Sequence, residues 1–444
     1  MTDVTMEKII SLAKRRGFIY PGSEIYGGLS GMWDYGPLGV ELKNNVKQLW
    51  WRMFVQDRDD MYGLDAAILM NSKVWEASGH VSGFSDPLVE CKKCKRRFRA
   101  DQVASPPDSG CPECGGGLGE VRQFNMMFKT HVGATEDESS VSYLRPETAG
   151  GIFVNFKNVV DSFHPKLPFG IAQIGKAFRN EIAPRDFIFR SREFEQMEIE
   201  YFVRPDDWKE RFEEWSLNML GFADSIGLSR ERINQVDVAD TDRAHYSSQG
   251  VDTEFEYPFG QKELWGLAYR TDFDLSAHAK ASGVDLSYLD DSPEGGGQRF
   301  IPHVIEPSFG VDRTILAILT SAYTEDELGG EVRTYLKFNR AIAPIKAAVF
   351  PLLKNKPELV AKAREIYVML KKQTPQIMWD DNGNIGKRYR RQDEIGTPHC
   401  ITIDFDTLGE TPELENTVTV RDRNTGEQER VSIDDLSLRI SEAN

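Results

Sequence analysis

In AFRNEIAPRDFIFRSREFEQMEIE, residues 177–200, arginines, an aromatic ring and carboxylates recur at alternate positions. Alternation of that kind predicts a strand, with residues i, i+2 and i+4 on one face. Paired with the residues just before it, the stretch makes a hairpin. Gln173, Gly175, Ala177 and Arg179 then share a face of the first strand, and Arg190, Arg192, Phe194, Gln196 and Glu198 share a face of the second. The loop NEIAPRDF between them adds Glu181 and Arg185. A solvated sheet face laced with cross-strand ion pairs is the ordinary meaning of such a pattern. Three features oppose it. Phe194 is out of place on a solvated face. Glu193 and Glu195 on the other side leave the strand no clean solvent face. Arg179 beside Arg192 is repulsive unless an anion lies between them. A nucleoside triphosphate answers all three, because its phosphates take arginines and its base takes an aromatic plate and a hydrogen-bonding partner.

A second constellation is EPSFGVDR, residues 306–313. Gly310 opens a predicted helix, where backbone N–H groups and the dipole favour anions. Arg313, one turn in, points back at the same place, with Glu306 and Ser308 on the preceding strand end. A plainly capped helix after a strand would read the same way. Glu263, in QKELWG, is a candidate Mg²⁺ ligand beside phosphate oxygens, or equally a surface carboxylate. No P-loop and no G-x-G-x-x-G stands at a strand–helix junction, which argues against those nucleotide folds.

The third is sulfur. Cys91, Cys94, Cys111 and Cys114 form two C-x2-C knuckles, and Cys400 stands apart as a small apolar filler. Two knuckles at this spacing fit a zinc ribbon, in which four thiolates hold one structural ion and leave no position for catalytic water. A disulfide framework is the alternative, set against the intracellular look of the rest of the chain.

These residues need a scaffold. At 444 residues the chain calls for two or three domains. LGVELKNNVKQLWWRMFVQ, residues 38–56, has helical periodicity behind Gly36 and Pro37. The cysteine segment, about 86–122, looks like a module inserted between core elements. A strand, a turn at Pro146 and a helix from about Thr148 follow. Residues 204–228 form an amphipathic helix behind an Asp cap. Residues 255–278 hold a short strand and a turn, and 325–340 read as a linker. From Ala343 strand and helix patterns alternate, predicting a separate α/β domain with a mixed sheet, and an Asn–Thr–Gly turn closes a late hairpin.

Charge and hydropathy narrow the classes. No apolar run approaches a membrane span, and the N-terminus lacks the core of a signal peptide, so a cytoplasmic protein with no membrane partner is expected. The formal net charge is −16. Any nucleic-acid contact must therefore rest on local patches, such as Lys387, Arg388, Arg390 and Arg391 or the knuckle segment CKKCKRRFR.

Taken in order, these stretches resemble a known family. FRNE (178–181) with FRSREF (189–194), and GVDR (310–313) opening a helix, resemble motifs 2 and 3 of the class II aminoacyl-tRNA synthetases. WDYGPLGVELKNNVKQLW resembles motif 1, a subunit-contact helix in that class. GFIYPGSEIYGG, RPETAGGIF, FRSREFEQMEIEYF, AYRTDFDLSAH and EPSFGVDR are similar to signatures of the homodimeric glycyl-tRNA synthetases, over about residues 6–440.

The resemblance implies an α+β fold. Residues 1–340 would form a catalytic domain, a six- or seven-stranded antiparallel sheet flanked by helices. That domain would carry the zinc-ribbon insert at about 86–122 and a helical insertion at about 204–250, and 341–444 would be an anticodon-binding domain. It implies a homodimer that uses ATP with Mg²⁺, glycine and the tRNA for glycine. In the carried-over ATP site, Arg179 holds the α-phosphate, Glu181 reads the adenine amino group and Phe194 stacks on the ring. Asn180, Phe189, Arg190, Ser191, Arg192 and Glu193 line the same hairpin. Glu263 with Leu264 takes the Mg²⁺–ATP position, and Gly310, Val311, Asp312 and Arg313 complete the site, Arg179 and Arg313 as its catalytic pair. Glycine would meet Glu147, Glu198 and Glu306 at its ammonium and Ser308 at the pocket wall. Arg270 would meet its carboxylate and Arg99 would stand on the substrate side. Phe194, Glu195, Gln196, Met197, Pro307, Phe309 and Gly310 would surround it. Another small-amino-acid class II synthetase, an inactive synthetase-like RNA-binding relative or a non-enzymatic zinc-ribbon protein would share parts of this pattern. Only the first keeps a reason for the ATP-site residues.

Overall fold

A computed structural model describes residues 4–103, 110–241, 243, 246–292 and 295–441. Within the segments anticipated above, residues 1–3, 104–109, 242, 244, 245, 293, 294 and 442–444 lie outside the described residues.

Two helices lead in. Helix α1 (Met6–Arg16) begins where the Thr5 hydroxyl accepts from the Lys8 N–H and ends at Gly17 in the left-handed region. Helix α2 (Pro37–Trp51) has proline in its first turn and buries Leu42, Val46 and Trp50, a stripe at four-residue spacing.

The catalytic sheet is built from β1 (Met61–Gly63), β2 (Phe169–Phe178), β3 (Glu193–Val203), β4 (Ile233–Asp237), β5 (Gln249–Tyr257), β6 (Gly260–Thr271) and β7 (His303–Gly310). Helix α3 (Ala149–Phe163) precedes β2, α4 (Trp208–Ser225) follows β3, α5 (Phe273–Ser282) follows β6 and α6 (Val311–Ala322) follows β7. The seven strands run in the order β4-β5-β6-β7-β3-β2-β1. All pairings are antiparallel except β1 with β2, so the sheet carries one parallel edge strand that the sequence reading did not include. One face packs against α2, α4 and α6 through Trp50, Trp215, Phe222, Trp265 and Phe309. On the other face α3 and α5 cover one end, burying Phe153, Phe156, Phe169, Phe202 and Leu275.

Two expected features differ. The span 204–250 is not an appended helical insertion. Phe212, Trp215, Met219 and Phe222 of α4 belong to the main core, and β4 extends the sheet edge. Residues 325–340 are not a linker either. They contain most of a hairpin, β8 (Tyr323–Leu328) and β9 (Glu331–Leu336), turned by Gly329 and Gly330, both at positive φ. A Gly–Gly pair between alternating segments is the turn chemistry that outweighed their polarity.

The C-terminal unit has β10 (Ala347–Pro351), α7 (Pro357–Gln373), β11 (Ile377–Trp379), α8 (Ile385–Ile395), β12 (His399–Ile403), β13 (Thr417–Asp422) and β14 (Gln428–Ser432). Its sheet runs β11-β10-β12-β13-β14, with β10 parallel to both neighbours and the rest antiparallel, the mixed sheet expected from the alternation. Arg333 of β9 is buried beneath it. Arg333 pairs with Asp326 of its own hairpin and donates to the carbonyls of Arg423 (2.7 Å) and Asn424 (3.1 Å).

Candidate active site

Strand β3 carries the site because its alternation gives it two unlike faces. Phe194, Gln196 and Glu198 pair with Ala177, Gly175 and Gln173 of β2. Along β3, Phe194 and Glu198 are about 13 Å apart at the usual rise per residue. Both line one cavity of about 490 Å³. The cavity lies over β3, β7 and β6, beyond the part of that face which α3 and α5 cover.

One end is cationic. Arg99, Arg179, Arg190 and Arg313 all line it. The Arg179 guanidinium sits between the rings of Phe84 and Phe194, each 5.3 Å from its central carbon, and its Nε donates to the Pro146 carbonyl at 3.1 Å. It forms no ion pair among the described residues. Arg313 lies over the Phe189 ring and pairs with Glu263 at 3.0 Å. Burial, together with neighbouring Arg99, Arg185 and Arg313, lowers the Arg190 pKa. Glu181 Oε2, Arg190 Nη1 and Gln196 Oε1 are buried with no hydrogen-bond partner among the described residues. Polar atoms buried without partners are rare, and three on one cavity wall mark a wall shaped for a polar ligand.

The other end is anionic. Glu147, Glu198 and Glu306 converge there. Glu198 accepts from Ser308 Oγ (2.9 Å), Gln196 Nε2 (2.6 Å) and both the backbone and hydroxyl of Thr148. Burial and the nearby Glu147 carboxylate raise its pKa. Burial pushes Glu306 up to about 8 even though Arg270 opposes the shift. Glu147 goes the other way: burial would raise it, but His80 at 3.4 Å and the Arg270 and Arg179 charges hold it at about 2. One pair of residues deeper, Glu200 is fully buried with neither carboxyl oxygen hydrogen-bonded, and burial next to Glu306 raises its pKa well above the ordinary value.

Several expected site residues stand elsewhere. Regular pairing of the hairpin ends at the bond from Arg179 N–H to the Arg192 carbonyl, with only an isolated bridge between Arg185 and Arg190 beyond it, and of the two arginines expected there Arg190 alone reaches the wall. Arg192 is away from the cavity wall, donating to the carbonyls of Ser30 (2.8 Å) and Glu181 (3.1 Å). Arg270 is not on the wall either. It is 1 % exposed, held by two bonds to Asp274 (2.8 Å each) and two to Glu306 (2.9 and 3.0 Å), which leaves no fork for a substrate carboxylate. Arg99 reaches the cavity at its cationic end beside Glu181, tied to Asp86 and Asp101, because the cysteine segment folds over that end.

Met197, Phe309 and Val311 face the opposite core. The Glu195 carboxylate is on that side too, paired with Lys43 (2.7 Å) and Lys47 (3.0 Å) of α2. Asp312 accepts from the Glu195 N–H and the Tyr35 hydroxyl, and Glu193 pairs with Lys176. Asn180 and Pro307 are off the wall. Phe189, Ser191, Leu264, Ser308 and Gly310 line it, and Glu195 and Asp312 border it as well.

Sequence reasoning missed Asp252, Tyr246 and Gly266, all on the wall. Burial and the facing Glu263 carboxylate raise Asp252 to about 6. Tyr246 lies over Arg270, 3.6 Å from ring centroid to guanidinium carbon. A Cβ added at Gly266 would meet no protein atom within 4 Å, so it would project into the cavity. A strand glycine without a packing reason is the signal for close ligand approach.

The four cysteine sulfurs of the knuckles lie within 4.8 Å of one another and are free of disulfides. Cys91 and Cys114 are 3.6 Å apart and Cys94 and Cys111 3.7 Å, the sulfur spacing of a tetrahedral four-thiolate site. The disulfide alternative is thereby set aside. The C-terminal basic patch is smaller than expected. Arg388 is buried on the carbonyls of Pro351, Asp381 and Gly383, and Arg391 is bound to Asp380, whereas Lys92, Lys93, Lys95, Arg96 and Arg97 of the knuckle are exposed.

Residues 128–322 match the family model described as tRNA synthetase class II core domain (G, H, P, S and T), and 346–443 match that described as anticodon binding domain. A glycine–tRNA ligase of Caldanaerobacter subterraneus subsp. tengcongensis is 50% identical, over 99% of this chain and 98% of its own length. Those of Clostridium tetani and Clostridium acetobutylicum are each 52% identical with the same coverage.

Proposed function

The chain belongs to the glycine–tRNA ligase family, and we propose that the cavity over β3 is where it activates glycine. In the family's reaction the glycine carboxylate attacks the α-phosphorus of ATP. The bond to the bridging oxygen breaks, pyrophosphate leaves, and the tRNA terminal hydroxyl then takes the glycyl group and releases AMP. The observation that carries the assignment is the polarity of the cavity, in which Arg99, Arg179, Arg190 and Arg313 gather around Glu181 and Glu263, apart from the neighbouring Glu147, Glu198 and Glu306.

On this reading Arg179 meets the α-phosphate and stabilises the charge that grows as the carboxylate attacks. Phe194 and Glu181 serve the adenine, Arg190 and Arg313 the outer phosphates, and Glu263 with Asp252 the Mg²⁺ that ATP brings. Glu147, Glu198 and Glu306 take the ammonium. The carboxylate of glycine is already a nucleophile, so positioning does the work of a general base. Arg270 acts through Glu306 as a positioning residue. The test is amino-acid-dependent ATP–pyrophosphate exchange across the twenty amino acids. Glycine alone should support it, and exchange with alanine or serine in its place would overturn the assignment.

The raised Glu306 makes a pH prediction. Its folded value lies above the ordinary 4.5, so its contribution to stability is full below 4.5 and is lost as pH rises toward 8. A bound ammonium reverses that by favouring the carboxylate. Glycine should therefore bind more tightly, with net proton release, as pH rises from 6 to 8. Calorimetry in two buffers of different ionisation enthalpy checks this, and an affinity flat across that range would contradict it.

The knuckle sulfurs support a structural Zn²⁺. About one zinc per chain is expected in protein purified without chelator, falling on Cys111→Ser, with core melting retained. The family reading also carries a homodimer. Ile25, Tyr26 and Leu29 (88, 87 and 57 % exposed) are apolar surface that a subunit contact would cover. Among the described residues no helix is long and apolar enough to cross a membrane. A reaction on tRNA by a protein with free thiols belongs in the cytoplasm.

A further inference from the structure

Glycine offers no side chain to grip, so its selection depends on what fills the space beside its α-carbon. The three carboxylates account for the ammonium and Arg179 for the reacting end. Neither excludes a methyl group. The floor does not exclude it either. Gly266 has no side chain and open space above it, and the Ser308 hydroxyl is turned to Glu198.

Tyr246, between β4 and β5, lines the same cavity. Its ring rests on the Arg270 guanidinium at 3.6 Å. That support is rigid, since four hydrogen bonds to Asp274 and Glu306 fix the guanidinium plane. The Tyr246 hydroxyl lies in the field of Arg270, Glu306, Glu147 and Arg179 together. It lines the cavity together with Glu147 and Glu306, which take the ammonium, and with Arg179 at the reacting end. A glycine spanning those two ends sets its α-carbon beneath that ring.

We propose that Tyr246 is a specificity-determining residue, its ring held by Arg270 as a lid over the α-carbon that leaves no room for a larger side chain. The inference rests on the activation site assigned above and adds the element that rejects alanine and serine.

The test compares glycine- and alanine-dependent ATP–pyrophosphate exchange in the full chain, as native protein, Tyr246→Phe and Tyr246→Ala. Tyr246→Phe keeps the ring and should keep the native preference. Tyr246→Ala should lower the ratio of kcat/KM for glycine over alanine by about 10–100-fold, the discrimination a pocket draws from one methyl, with alanine use gained in absolute terms. An equal loss with both amino acids and an unchanged ratio would overturn the proposal and make Tyr246 merely structural. Should Tyr246→Ala fail to fold by circular dichroism, Tyr246→Leu is read instead, with the same expected direction and a smaller change. An unchanged ratio there would overturn the proposal equally. A native protein with no glycine-dependent exchange would overturn the site assignment itself, and this inference with it.

Discussion

Replacing Arg179 with alanine should lower glycine-dependent ATP–pyrophosphate exchange by about 10²–10³-fold, the usual cost of losing one preorganised donor to a developing charge. The fold should survive. Arg179 forms no ion pair among the described residues, so its removal leaves no buried carboxylate without a partner. What it loses is one bond to the Pro146 carbonyl and its place between Phe84 and Phe194. Lysine should not restore activity, because a point charge on a flexible stem cannot be held flat between two rings and present a planar fork. Exchange rates beside a thermal melt check this. Activity within a few-fold of native in a folded variant would remove Arg179 from the α-phosphate.

Arg270→Leu should do the opposite, damaging the fold first. The guanidinium is buried, and its loss strands the Asp274 and Glu306 carboxylates away from water. Breaking a buried pair in this way typically costs about 3–5 kcal/mol. The sign with pH follows from linkage. Arg270 opposes the burial that raises Glu306, so without the arginine the Glu306 carboxyl is raised further, and the stability tied to its protonated form is lost as pH rises. The deficit should therefore be larger at pH 8 than at pH 5.5, as read by urea denaturation. A deficit independent of pH would mean that Arg270 supports the fold by packing alone. Adding Asp274→Asn should recover part of the loss, since it removes one stranded charge.

The contrast between these arginines shows what the sequence could convey. Alternation along β3 located Phe194, Gln196 and Glu198 on one wall, because a strand's side-chain period is fixed by its backbone. It was carried too far to Arg192, which lies off the wall although Arg190 lies on it, because where a strand begins depends on which partner bonds to it. Residue type marked Arg270 and Arg388 as cations. Their partners lie on α5 and β7 for one and on loop carbonyls for the other, and only the assembled chain brings those near. Tyr246 carried no local signal, since its meaning comes from an arginine 24 positions on. Gly266 was readable in principle as a strand interrupted by a glycine. The Gly329–Gly330 turn was readable too, but acidic composition hid the hairpin around it.

That hairpin bears on how such enzymes can be recombined. The class II core match ends at 322 and the anticodon-domain match begins at 346, leaving the hairpin in the gap between them. A chimaera spliced at the composition change near 341 would separate Arg333 from the Arg423 and Asn424 carbonyls that it holds. Its donors would then meet a foreign surface at the bottom of the joint. The hairpin is shared by both units, Tyr323 and Leu336 packing into the catalytic core while Arg333 holds the C-terminal carbonyls, so a splice on either side of it cuts native contacts.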